Sequence, residues 1–201
     1  MKRRELESLK DIFHEKRGVN LRTLERVIML AIEIAREGRE GRKVGTLFVV
    51  SDSENTMKNS RCLILDPLLY HPDERKHIEN PDLRETVKEL AQLDGAFIVS
   101  DAGVVISACR HINTSSEGID LPLGLGSRHM AAASITKETN AVAVVVSESS
   151  IVRFFDDGHL IAEILPESWL IENRSLHVTG SCPSPWPKDD CHGSSRGNQL
   201  A

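Results

Sequence analysis

Residues 141–147 read Ala-Val-Ala-Val-Val-Val-Ser, and this run restricts the fold more than any other part of the chain. Consecutive apolar and β-branched residues suit a strand that is covered on both faces. Such a strand lies inside a sheet, with a layer packed on each side. Further apolar runs at 44–50, 95–100 and 104–112 read as its companions. The sequence Ile-Val-Arg-Phe-Phe, then Asp156-Asp157-Gly158, then His-Leu-Ile-Ala-Glu-Ile-Leu reads as a hairpin. Helical spacing predicts helices over 21–36, with Leu24, Val27, Ile28, Ala31 and Ile34 on the apolar face, and over 82–92 and 128–139. Residues 1–17 also carry a helical stripe, Leu6, Leu9, Ile12 and Phe13. The polar stretch 51–60 reads as a loop. Residues 61–67 read as another strand or a partly ordered segment closed by Pro67.

Helices alternating with strands and hairpins give an α/β class, with a central mixed β-sheet flanked by helices. The expected division is an N-terminal helical region at 1–40, a main domain at 41–178, and a flexible tail rich in Pro, Gly and Ser at 179–201. A chain of 201 residues is long enough for one domain with a substantial core.

Charge and cysteine usage narrow the function. With 25 Lys plus Arg against 30 Asp plus Glu, the net charge is −5, which argues against a nonspecific nucleic-acid binder. A local basic pocket for a small anion remains compatible with it. No apolar run is long enough to span a bilayer, and the charged N-terminus lacks an apolar signal core, so the expected location is cytoplasmic. Cys62 and Cys109 lie in apolar runs and read as small buried hydrophobes. Cys182, Cys191 and His192 fall in the polar tail and read as incidental to it rather than as a metal site.

Three segments carry chemistry. Asp94-Gly95-Ala96 sits where a helix gives way to a buried strand, which places a carboxylate at the sheet edge. Asp-Gly is also a common turn. Next, Gly124-Leu125-Gly126 leads into Ser127-Arg128-His129-Met130-Ala131-Ala132. A helix N-terminus offers free N–H groups to phosphate, and Arg adds a planar donor fork. His129 suits either a metal or a phosphate. The plainer alternative is an N-cap serine among ordinary surface charges. Finally, Ser147-Glu148 closes the 141–147 strand, where α/β proteins place ligands. Glu148 there is a candidate second carboxylate for a divalent cation, or simply part of a solvent-facing turn.

Asp94-Gly95-Ala96, followed by Gly126-Ser127-Arg128-His129-Met130-Ala131-Ala132 and then by a strand ending in Ser147-Glu148, resembles the diadenylate cyclase family. The resemblance is clear from about residue 90 to 165 and weaker from 20 to 90. It implies the diadenylate cyclase domain fold and the condensation of two ATP molecules into cyclic di-3′,5′-AMP with release of two pyrophosphates. It further implies Mn²⁺ or Mg²⁺, and self-association into a face-to-face dimer, with higher oligomers allowed. No nucleic-acid or membrane partner is expected, because no DNA-binding helical module or membrane segment adjoins the cyclase-like region. Asp94, Arg128 and His129 are the implied catalytic residues. Gly95, Ala96, Ile112, Gly126, Ser127, Arg128, His129, Ser147 and Glu148 are the implied ATP contacts, and Asp94, His129 and Glu148 the implied metal ligands. Two departures stand out. Ser127 replaces the usual threonine and keeps its hydroxyl, whereas Met130 replaces an arginine and removes a positive charge. Arg110 and Lys137 are candidates to make up that charge. The alternative function is a nucleotide or cyclic-dinucleotide sensor on the same fold.

Overall fold

The computed structural model describes residues 18–113, 115 and 117–167. The N-terminal stripe at 1–17 and the tail at 179–201 with Cys182, Cys191 and His192 lie outside the described residues.

Helix α1, Leu21–Glu37, starts where the Asn20 side chain accepts from the backbone N–H groups of Arg22 and Thr23. It ends at Gly38, whose φ of 59° permits a left-handed stop. Strand β1, Thr46–Val50, follows. The polar stretch expected to be a loop instead contains a short helix α2, Ser53–Lys58. Its first turn closes through Thr56 N–H on the Asp52 carbonyl and Asn55 Nδ2 on the Asp52 carboxylate. Local side-chain hydrogen bonds thus supply what the missing apolar stripe does not. Strand β2, Ser60–Cys62, is shorter than the apolar run it opens. Beyond it Ile64 and Leu65 are exposed, while Asp66 anchors the segment to Ser107 and to the Ala108 N–H. Helix α3, Pro81–Leu90, strands β3, Ala96–Val99, and β4, Val105–Ile112, helix α4, Ser127–Glu138, and strands β5, Val142–Val146, β6, Val152–Asp156, and β7, His159–Ile164, complete the fold close to the expected positions.

The strands form one mixed sheet of order β2-β4-β3-β1-β5-β6-β7. Both faces of its middle are covered, as the 141–147 run requires. In β5, Val142, Val144 and Val146 join one core with α1 and α3, while Ala143 and Val145 join a second core under α4. β1 divides the same way, Phe48 and Val50 against Leu47 and Val49. Phe48 stacks on Phe97 of β3, with ring centroids 5.1 Å apart. Helix α1 therefore belongs to the same packed body as the sheet. Among the described residues, no helix is long and apolar enough to cross a membrane.

Strand direction places the candidate residues. β1 pairs parallel to β3, Leu47 opposite Ala96, and antiparallel to β5, Thr46 opposite Val146. The start of β1, the start of β3 and the end of β5 consequently share one edge of the sheet. Gly45, Asp94 and Glu148 meet there although about fifty residues separate each from the next.

Candidate active site

Asp94 precedes β3, and its Oδ1 accepts from the Gly95 N–H at 3.1 Å. Gly95 has φ 106°, and a Cβ there would fall 2.6 Å from the Cys109 carbonyl carbon. Only glycine fits so close to the next strand. Glu148 opens the turn after β5, which is held by Ser147 Oγ to Ser149 Oγ at 2.8 Å and by the Ser150 N–H on the Ser147 carbonyl.

Arg128 joins the two acids. Its Nη1 lies 3.3 Å from Glu148 Oε1 and its Nη2 lies 3.6 Å from Asp94 Oδ1. Both carboxylates are largely exposed, and Arg128 about one-third exposed. Exposed pairs of this kind contribute about 0–1 kcal/mol, so fold stability gives little reason for the arrangement. Two carboxylates sharing one guanidinium leave a local charge of −1 and unused hard oxygen donors.

Helix α4 delivers Arg128. Its N-cap is Gly126, not Ser127, and no side chain caps the first turn. The N-cap-serine alternative therefore does not describe this helix. A Cβ at Gly126 would meet nothing within 4 Å, so the helix start lies open to an approaching group. Gly124, with φ 94°, bends the loop into it.

Two clefts, of about 250 and 230 Å³, share Ser127 and Arg128 in their walls. Asp94, Gly95, Ala96 and Ile112 line the first, and Gly126, His129, Ser147 and Glu148 the second. Each of the residues implied as catalytic, ATP-binding or metal-ligating thus borders one cleft or the other, whereas Lys137 borders neither. Sequence reasoning missed Leu47, Leu63 and His111 in the first cleft; it marked Met130 only as a departure and Ala131 only as part of the helix motif, not as parts of the wall. It also missed Gly45, where a Cβ would fall 2.9 Å from Arg128 Nη1. A glycine immediately before a buried strand was the available signal.

Neither suggested substitute for the missing arginine is free. Arg110 is buried, and its guanidinium donates to the Ser60 and Met57 carbonyls, Ser60 Oγ and Cys62 Sγ. Lys137 holds the Glu117 and Gly118 carbonyls at 2.7 and 3.0 Å. Of the two cysteines read as core, Cys109 is buried and Cys62 only partly so.

His129 is buried, and its ring lies 6.1 Å from that of Phe155. Burial pushes its pKa below 6.5, and the neighbouring Arg153 and Arg128 push the same way. Among the described residues, no three His, Cys, Asp or Glu side chains cluster closely enough to hold a metal. Asp94 and Glu148 nevertheless fit a hard divalent cation, which takes one or two carboxylates and completes its shell with phosphate oxygens and water.

Taken together, fold and site define an α/β domain with an anion-receptive helix start beside two carboxylates. The chain belongs to the DAC family, described as DisA bacterial checkpoint controller nucleotide-binding, whose model matches residues 33–160. It is 46% identical over 162 residues to a diadenylate cyclase of Methanocaldococcus jannaschii, covering 80% of this chain and 51% of that one. It is 45% identical over 146 residues to a diadenylate cyclase of Haloferax volcanii, covering 71% of this chain and 52% of that one. The chain thus spans about half the length of these curated relatives. The crystal structure of a double mutant of DacA from Staphylococcus aureus aligns with TM-score 0.49 at 20% identity, over 74% of this chain and 90% of that one.

Proposed function

We propose that this chain is a diadenylate cyclase that converts two ATP into cyclic di-3′,5′-AMP and two pyrophosphates. One observation carries the reading: Arg128, at an uncapped helix start, stands between Asp94 and Glu148 where two clefts meet. The site of the two archaeal relatives' named activity is the natural comparison, since most of this chain aligns with each of them.

In this reading the apolar wall of the first cleft, with Ile112 and the Gly95-Ala96 backbone, holds the base and ribose. The open N–H groups of α4, Ser127 and Arg128 hold the triphosphate. Asp94 and Glu148 would hold Mn²⁺ or Mg²⁺, which supplies charge neutralisation at the transferred phosphoryl group. Asp94 also orients the 3′-hydroxyl. His129, whose Nε2 faces the Arg153 guanidinium at 3.3 Å, supports the loop and phosphates in this reading. The 3′-oxygen of each ATP attacks the α-phosphorus of the other, the α–β anhydride bond breaks, and pyrophosphate leaves with its electron pair. The hydroxyl proton passes to solvent. Two such transfers close the ring. One subunit presents one such site, so two subunits must face each other, and the active species is a dimer in the cytoplasm.

The test is product analysis by mass spectrometry after incubating purified protein with ATP and Mn²⁺ or Mg²⁺, with Asp94→Asn alongside. Metal-dependent cyclic di-AMP from the parent, reduced at least ~100-fold in D94N, supports the assignment. No product from folded, dimeric protein that binds ATP would replace it with the sensor reading, for which Met130 in the cleft wall is the supporting observation. Near-normal turnover by D94N would remove Asp94 from its role.

A further inference from the structure

Strand β6 carries an arginine in the middle of an apolar sequence. Val152 and Phe154 face the core under α1, so Arg153 and Phe155 face the opposite layer, under α4. Arg153 is only 12% exposed there. A cation so placed requires partners. One is Glu163, directly across the β6–β7 ladder, whose Oε1 lies 2.6 Å from Arg153 Nε. The other is His129, whose Nε2 lies 3.3 Å from Arg153 Nη1.

A guanidinium can only donate. The ring nitrogen facing it must accept, so Nε2 carries no proton and Nδ1 carries one. Nδ1 is buried and has no hydrogen-bond partner of good geometry, so no second acceptor competes with the Arg153 contact in setting the tautomer. Arg128, the neighbouring residue on α4, also opposes a second proton on this imidazole.

The geometry points to Arg153, braced by Glu163, as a positioning residue that fixes His129 in its Nδ1–H tautomer. The ring then keeps a donor, not a free lone pair, at its remaining nitrogen, in a residue that lines the phosphate-side cleft. A histidine side chain free in water prefers the proton on Nε2, so the protein selects the minor form. His129 is accordingly held in one tautomer and one ring orientation at the start of α4. The structural part stands on the described geometry alone, while the kinetic part rests on the proposed cyclase activity.

The experiment uses the 201-residue chain labelled with ¹⁵N histidine, with long-range ¹H–¹⁵N correlation at neutral pH and His129→Gln to assign the signal. We expect the parent to show His129 protonated at Nδ1 only. Arg153→Met should release the ring to the Nε2–H form or a mixture. Arg153→Lys, which retains a donor, should restore Nδ1–H. In turnover assays R153M should lose about tenfold in kcat with KM for ATP within about twofold, and R153K should recover part of that loss. A parent spectrum with the proton on Nε2 overturns the inference, even if R153M does not fold. So does an R153M spectrum identical to the parent's. An absent cyclase activity with the tautomer as expected refutes the functional reading and leaves the tautomer assignment standing.

Discussion

Gly45 offers a way to move Arg128 without touching it. In Gly45→Ala the new carbon would fall 2.9 Å from Arg128 Nη1, 3.2 Å from Glu148 Cγ and 3.4 Å from the Val146 carbonyl oxygen. Ordinary contact is about 3.5 Å, so the guanidinium must retreat by roughly 0.5 Å or more. The backbone at Gly45 lies outside the left-handed region, so alanine strains nothing else. Weakening two exposed ion pairs costs about 0–1 kcal/mol. Narrowing the unfolded ensemble offsets that by about 0.4–1 kcal/mol. Net stability should therefore stay within about 1 kcal/mol, a melting shift under about 4 °C. Turnover is more sensitive, because a misplacement near 1 Å costs about 100-fold. We expect kcat/KM for cyclic di-AMP formation to fall about 10- to 100-fold, with the melting temperature as control. Turnover within twofold of the parent would refute the claim that Arg128 must stand between Asp94 and Glu148. Loss of the fold would refute the premise that the two closest groups, Arg128 Nη1 and Glu148 Cγ, are side-chain atoms free to give way.

Three further outcomes follow from the same geometry. Arg128→Ala should weaken ATP binding by about 10- to 100-fold, read by calorimetry, because charge-assisted hydrogen bonds to phosphate contribute about 1.5–3 kcal/mol; unchanged affinity and turnover would exclude the role. Gly95→Ala should lose about 3 kcal/mol or more in urea denaturation, since it combines a left-handed φ with a 2.6 Å approach to Cys109. A loss below about 1 kcal/mol would show that the β3–β4 contact yields easily. Finally, His129 has a folded pKa depressed below 6.5, so below that pH the unfolded chain binds more protons. Its contribution is complete above 6.5 and is lost as pH falls through the folded value; comparing parent with His129→Gln between about pH 5 and about pH 8 should show the parent's extra slope on the acid side.

The fold was legible where burial is strong. The 141–147 run implied a strand covered on both faces, and β5 meets both cores. Helix α1 followed from its apolar stripe, while its Asn20 cap came from the structure. Reading failed where local polar bonding decides the structure. Helix α2 has one buried residue, Thr56, and depends on Asp52 and Asn55 for closure. Residues 61–67 read as a strand or a partly ordered segment; the strand stops at Cys62, Ile64 and Leu65 are exposed, and Asp66 anchors the rest to β4.

The site was legible as three motifs but not as a place, because strand direction is absent from any single motif. Parallel pairing of β1 with β3 and antiparallel pairing of β1 with β5 bring Gly45, Asp94 and Glu148 to one edge. The same limitation applies to charge. Sequence alone offered Arg110 and Lys137 as replacements for the cation absent at Met130, but their hydrogen bonds commit both to backbone carbonyls. Arg128 is consequently the cation shared by both clefts, set against two carboxylates. In the proposed reading a triphosphate brought there would lie beside both carboxylates, and a divalent cation between them and the phosphate oxygens would relieve that repulsion. In the proposed cyclase reading, the arginine absent at Met130 would leave more of the electrostatic work to a divalent cation held by Asp94 and Glu148.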